Sequence, residues 1–110
     1  MKLIKSNYRA LELLKKIKPK LRRAILLNCG PDLLKSLGEC ALNVLHGNVK
    51  LGKCLKRKLQ KHRGVLRKIA NKGVSIDNKR KMIVQRGGFL LPLLSAVLPF
   101  LASLVFRQQS

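Results

Sequence analysis

The chain has 110 residues, of which 25 are Lys or Arg and four are acidic, giving a formal charge of +21. That length bounds it to one small domain with appendages, and self-repulsion on this scale favours compaction on an anionic partner, nucleic acid first and an anionic membrane surface second. Four acids, two histidines (His46, His62) and three scattered cysteines (Cys29, Cys40, Cys54) form no constellation for acid–base or nucleophilic work, so neither an enzyme nor a small-molecule substrate or cofactor is expected.

Residues 6–18 read as a helix, with Ser6 or Asn7 as its cap and Ala10, Leu11, Leu14 and Ile17 on one face. Pro19 interrupts it and opens a second helix over 19–28, which Asn28-Cys29-Gly30 ends. Pro31-Asp32 starts a third helix running to about His46, stopped by Gly47-Asn48. Its broad apolar face and the near-neutral composition of residues 24–49 make it the core candidate. A fourth helix over about 51–71 carries Leu51, Leu55, Leu59, Leu66 and Ile69 in a narrow stripe, with Gly64 costing about 1 kcal/mol against Ala. Ser75 caps a fifth, short helix through Ile83-Val84. No alternating strand pattern occurs. The expected fold is therefore all-α, a small bundle of about four to five short helices with a C-terminal hydrophobic helix. Along the chain it divides into a basic helical body (1–73), a basic linker with a short helix and a Gly-Gly hinge (74–88), and a hydrophobic tail (89–110).

The cysteines are odd in number, and Met1-Lys2-Leu3-Ile4-Lys5 opens a charged amphipathic stretch rather than an apolar leader. Both point to a reducing compartment with small buried thiols. Cys40, His46 and Cys54 are the only neighbouring ligand types, but no CxxC or HxxxH spacing joins them, and no metal is expected.

Residues 50–86 hold 14 Lys and Arg against Asp77 alone. An ordinary solvated face mixes its signs, so this asymmetry marks a polyanion-binding surface. The candidate contacts are Lys50, Lys53, Lys56, Arg57, Lys58, Lys61, Arg63, Arg67, Lys68, Lys72, Lys79, Arg80, Lys81 and Arg86. Readers of bases generally stack them on aromatics, and this body offers only Tyr8. Phosphate neutralisation of double-stranded DNA, without sequence preference, is the simpler mechanism. Lys56-Arg57-Lys58 and Lys79-Arg80-Lys81 also have the form of nuclear import signals.

After Arg86-Gly87-Gly88, residues Phe89 to Phe106 carry no charge. Phe89, Leu90, Leu91, Leu93, Leu94, Val97, Leu98, Phe100 and Leu101 form a tail close to membrane-spanning length. It reads as an anchor or membrane-surface segment, as a peptide packed on a capsid protein, or as a cover for the body's own apolar faces. Pro92 and Pro99 are expected to kink it. Gly87 and Gly88 read either as a flexible joint or as a protease site, since two residues without Cβ fit a narrow cleft.

The run Lys79-Arg80-Lys81-Met82-Ile83-Val84-Gln85-Arg86-Gly87-Gly88-Phe89-Leu90-Leu91-Pro92-Leu93-Leu94 resembles the C-terminal part of adenovirus core protein X precursors. There, too, a basic body meets Arg-Gly-Gly and then a Leu/Pro-rich apolar tail. The whole plan is similar to the protein-X-like core proteins of adintoviruses and Maverick/Polinton elements, extending upstream through Pro31-Asp32-Leu33-Leu34 and Cys40-Ala41-Leu42-Asn43-Val44-Leu45. The resemblance implies a minor virion core protein that condenses double-stranded DNA, located in the virion core and host nucleus. It also implies release of the tail by a viral cysteine protease cutting after Gly88. Gln85 departs from that protease's preference for an aliphatic residue four positions before the cut, and the helical body is longer and poorer in arginine than the adenovirus protein. The alternative reading is a membrane-active or tail-anchored cationic protein at an intracellular membrane surface.

Overall fold

Two prolines and a serine set three of the helix starts. Pro19 and Pro31 occupy first-turn positions, where a missing N–H costs nothing, and the Ser75 hydroxyl accepts a hydrogen bond from the Asn78 N–H at 3.2 Å. The computed structural model describes residues 2–107 of the chain, and the side chains of residues 3–103. In chain order the helices are α1 (Lys2–Ser6), α2 (Tyr8–Lys16), α3 (Pro19–Asn28), α4 (Pro31–Leu45), α5 (Lys53–Lys61), α6 (Arg63–Ala70), α7 (Ile76–Gln85) and α8 (Leu90–Arg107), with a single 3-10 turn, Gly87–Phe89, before the last. Among the described residues there is no strand, and the fold is all-α.

Several boundaries follow the sequence closely, and others are corrected. The end of α4 is a Schellman closure: Gly47 takes φ +74°, the Gly47 N–H bonds to Val44 O at 3.1 Å and the Asn48 N–H to Asn43 O at 3.0 Å. The helix expected over 6–18 begins earlier, as α1, and breaks at Asn7. Neither proposed cap works as one. Asn7 Nδ2 and Ser6 Oγ both donate back to Leu3 O, at 2.8 and 3.2 Å, because the chain before them is already helical. The single helix expected over 51–71 is two helices broken at His62. The His62 N–H bonds to Leu59 O, a tighter i→i+3 turn, and the break lets the two apolar stripes serve different partners. As whole elements, α5 packs on α8, whereas α6 packs on α4 and α7.

The core has two apolar helices at its centre. α4 packs against α1, α6, α7 and α8, and α8 packs against α1, α2, α4 and α5. Every helix contributes to one buried cluster, from Ile4 and Leu11 through Leu34, Leu37, Leu66 and Ile83 to Leu93, Val97 and Leu101. The hydrophobic tail is thus a core helix, and one core crosses the expected boundaries at residues 73 and 88. The physical reason is that basic helices with one apolar stripe each need a partner that is apolar all round. The radius of gyration, 13.0 Å, equals the value of about 13 Å for a compact chain of this length, so α8 does not project. Pro92 lies in the first turn of α8, where its absent N–H has no partner to lose, and only Pro99 is interior.

α4 and α6 cross closely at a glycine. A Cβ on Gly38 would stand 2.5 Å from Ile69 O, a backbone atom that cannot swing away. Gly38→Ala is therefore expected to destabilise the chain by about 1–3 kcal/mol despite alanine's better helix propensity. A thermal melt of the two proteins checks this, and an unchanged or raised Tm would contradict the close crossing.

Candidate nucleic-acid interface

α5 and α6 each bury one stripe and leave the rest to cations. On α5, Leu55 and Leu59 face inward, and Lys53, Lys56, Arg57, Lys58 and Lys61 are all exposed. On α6, Val65, Leu66 and Ile69 are buried, with Arg63, Arg67 and Lys68 exposed. Lys50 and Lys72 in the flanking loops are exposed as well, as are Lys81 on α7 and Arg86 at its end. Twelve of the fourteen candidate contacts thus present their heads to solvent. Between α6 and α7 runs a groove of about 510 Å³ that brings Lys68, Lys81 and Arg86 together with the amides of Asn78 and Gln85. Cations and amide donors in one groove suit a phosphodiester strand.

The other two candidates have structural roles. Lys79 is buried, 6% exposed, at the junction of α7 with α4. Burial, and then repulsion from Lys35, hold its amine below the usual lysine range. Arg80 is half-buried and donates to Leu26 O at 2.8 Å and toward Cys29 Sγ at 3.6 Å, closing the C-terminal end of α3. Lys79-Arg80-Lys81 is therefore not an accessible tripeptide, unlike the exposed Lys56-Arg57-Lys58. Arg22 lies outside the basic stretch of residues 50–86 and is nevertheless a structural cation. Its side chain is buried and donates to Leu14 O at 2.7 Å and Ile17 O at 3.1 Å, serving α2 as Arg80 serves α3. Its place just after the Pro19 helix start was the available signal. The exposed cations outside the candidate set are, among the described side chains, Lys5, Arg9, Lys16, Lys18, Lys20, Arg23 and Lys35, of which Lys16 pairs with Glu12 at 3.8 Å.

The aromatics offer no stacking platform among the described side chains. Tyr8 and Phe89 are buried, and Phe100 is half-buried. Cys40 is buried, and desolvation pushes its thiol up to about 12, with Glu39 adding to the effect. Cys29 is half-buried and Cys54 exposed. No three His, Cys, Asp or Glu side chains converge among the described residues.

The Gly87-Gly88 joint is a tight 3-10 turn rather than an extended segment. Gly88 is exposed, but Phe89 is fully buried beside His62, with ring centroids 6.4 Å apart. Of the tail residues singled out, Phe89, Leu90, Leu93, Leu94, Val97, Leu98 and Leu101 are buried, Phe100 is half-buried and Leu91 is exposed. Among the described residues no single helix is long and apolar enough to cross a membrane. Only the pair Ile76–Gln85 and Gly87–Ser103, bent by 78°, passes on length and composition. A membrane or capsid partner for this segment would have to draw α8 out of the core.

No family model matches the chain, no curated protein is similar to it, and no solved structure matches its fold.

Two outcomes follow from this arrangement. Lys79→Met is expected to raise the Tm at neutral pH, because it removes a buried charge and keeps the apolar stem. The folded pKa of Lys79 is lowered, so between that value and 10.5 the unfolded chain binds more protons and native stability rises with pH. The advantage of the variant should therefore shrink as pH climbs through that window, and an advantage independent of pH would contradict the assignment. The bond after Gly88 is expected to resist proteolysis in the folded chain and to be cut only as fast as the molecule unfolds. Rapid cleavage there with the helical circular dichroism intact would show that Phe89 and α8 are not core.

Proposed function

We propose that the chain binds and condenses double-stranded DNA through Lys and Arg contacts to phosphate, without reading sequence. The observation that carries this is the set of twelve exposed cations on and beside α5, α6 and α7, with Asp77 the one acid in residues 50–86. Aromatic stacking, which a single-strand reader needs, has no exposed platform among the described side chains. The resemblance around Arg86-Gly87-Gly88 supports a finer reading as a minor virion core protein acting in the virion and host nucleus. In that reading a viral cysteine protease is a further partner, and its cut after Gly88 would remove a core helix rather than a loose tail.

The longest dimension of the body is 38 Å, which covers about eleven base pairs at 3.4 Å each. Contact with about six to ten phosphates over that length would weaken binding by about 10³–10⁵ between 50 and 200 mM salt. Fluorescence anisotropy with two duplexes of unrelated sequence tests both points: equal affinities and a steep salt slope are expected. Replacing Lys56, Arg57, Lys58, Lys61, Arg67 and Lys68 with Gln should lower affinity about 100-fold or more and flatten the slope. Affinity that is indifferent to salt, or that separates the two sequences strongly, would contradict the proposal.

A further inference from the structure

A second cavity, of about 390 Å³, opens where α4, α6 and α7 meet, and it shares Val74 alone with the basic groove. Leu42, Ile69, Val74 and Ile76 give it apolar walls, and Lys35, Lys72, Lys79 and Glu39 supply its charged groups. Among the described side chains, three amines against one carboxylate leave it cationic. Lys79 is the deepest of them, and its Nζ lies 3.9 Å from where a Cβ would stand on Gly38. The glycine therefore does two things: it admits the Ile69 backbone, and it leaves room beside the amine.

We propose that this cavity binds a small amphipathic carboxylate, with its head against Lys79 and Lys35 and its apolar chain along Leu42, Ile69, Val74 and Ile76. A buried ammonium held near a second lysine is a costly arrangement in an apolar wall. A carboxylate at that point offsets the repulsion and accepts a charge-assisted hydrogen bond. A bare phosphate would gain the charge but leave the apolar walls unused, and a duplex phosphodiester is too bulky to reach the floor. The volume lies at the lower end of the range for small-molecule sites, about 300–1,000 Å³, which suits a short single chain. The site is separate from the exposed cations that the DNA reading uses, apart from Lys72 at its mouth.

Octanoate is the probe, titrated into the full chain and followed by calorimetry and thermal shift. Saturable one-to-one binding with a raised Tm is expected, because a ligand that binds only the native state stabilises it. Octylammonium, which has the chain without the anion, should leave the Tm unchanged, and inorganic phosphate, which has the anion without the chain, should shift the Tm of the parent and of Lys79→Met alike by screening the surface cations. Lys79→Met should weaken octanoate binding about tenfold or more while the protein stays folded. Val74→Phe, which fills the cavity from its apolar wall, should abolish binding. A phosphate shift that is lost in Lys79→Met would reduce the site to bare charge, and binding of octylammonium would reduce it to apolar contact. Either result overturns the proposal, as would octanoate that fails to saturate or that binds the Lys79→Met variant unchanged.

Discussion

Everything in this molecule depends on burying α8. The shell around it is a set of helices that repel one another, since the chain carries 25 cations and four acids. Each basic shell helix has one apolar stripe, too narrow to enclose a core alone, and near-neutral α4 shares the centre with α8. α8 has apolar residues on nearly its whole circumference, so α1, α2, α4 and α5 can all set their stripes against it at once. Its hold is apolar throughout. The Ser103 hydroxyl donates within the helix to Phe100 O, and no described α8 side chain makes a polar contact to another helix. Burial of this kind is roughly proportional to area and indifferent to direction, which suits a segment built from Leu, Val, Ala and Pro.

The same constraint sorts the cations into two groups. Arg22 and Arg80 turn inward and close the carbonyl ends of α2 and α3, where a positive charge also meets the negative end of the helix dipole. Their guanidinium heads are committed to the fold. The exposed set on α5, α6 and α7 makes no ion pair among the described residues, and an anion from outside would relieve its mutual repulsion. Binding and stability are therefore linked: a polyanion that neutralises the shell should also steady the body beneath it.

Sequence periodicity revealed much of this. Pro19, Pro31, Ser75 and Gly47 act locally, through a missing N–H, a hydroxyl cap and a left-handed φ, so their effects are readable residue by residue. The stripes of α4, α5 and α6 were equally legible. Three things were not, each because it depends on a distant neighbour. The break at His62 separates two helices whose main partners differ, α8 for α5 and α4 for α6. Gly38 reads as a weak helix residue until the Ile69 backbone is placed against it. Lys79 and Arg80 are indistinguishable from Lys81 in a basic run, and only the packing of α7 on α3 and α4 separates two structural cations from an exposed one. The run from Phe89 to Phe106 is plainly apolar, but composition alone does not decide whether it faces lipid, a partner or the body itself.

That placement changes what the Gly87-Gly88 joint means. A cut between a folded body and a loose tail would leave the body as it was, whereas a cut before Phe89 severs the central helix from the shell that needs it. The most direct test of the account is native-state hydrogen exchange on the full-length chain without DNA. Amides of Leu93 to Leu101 in α8 should be among the slowest, exchanging only through global unfolding together with those of Leu34 to Ala41 in α4. Exchange of the α8 amides within seconds while α4 stays protected would show a free tail on an independently folded body, and would contradict the account at its centre.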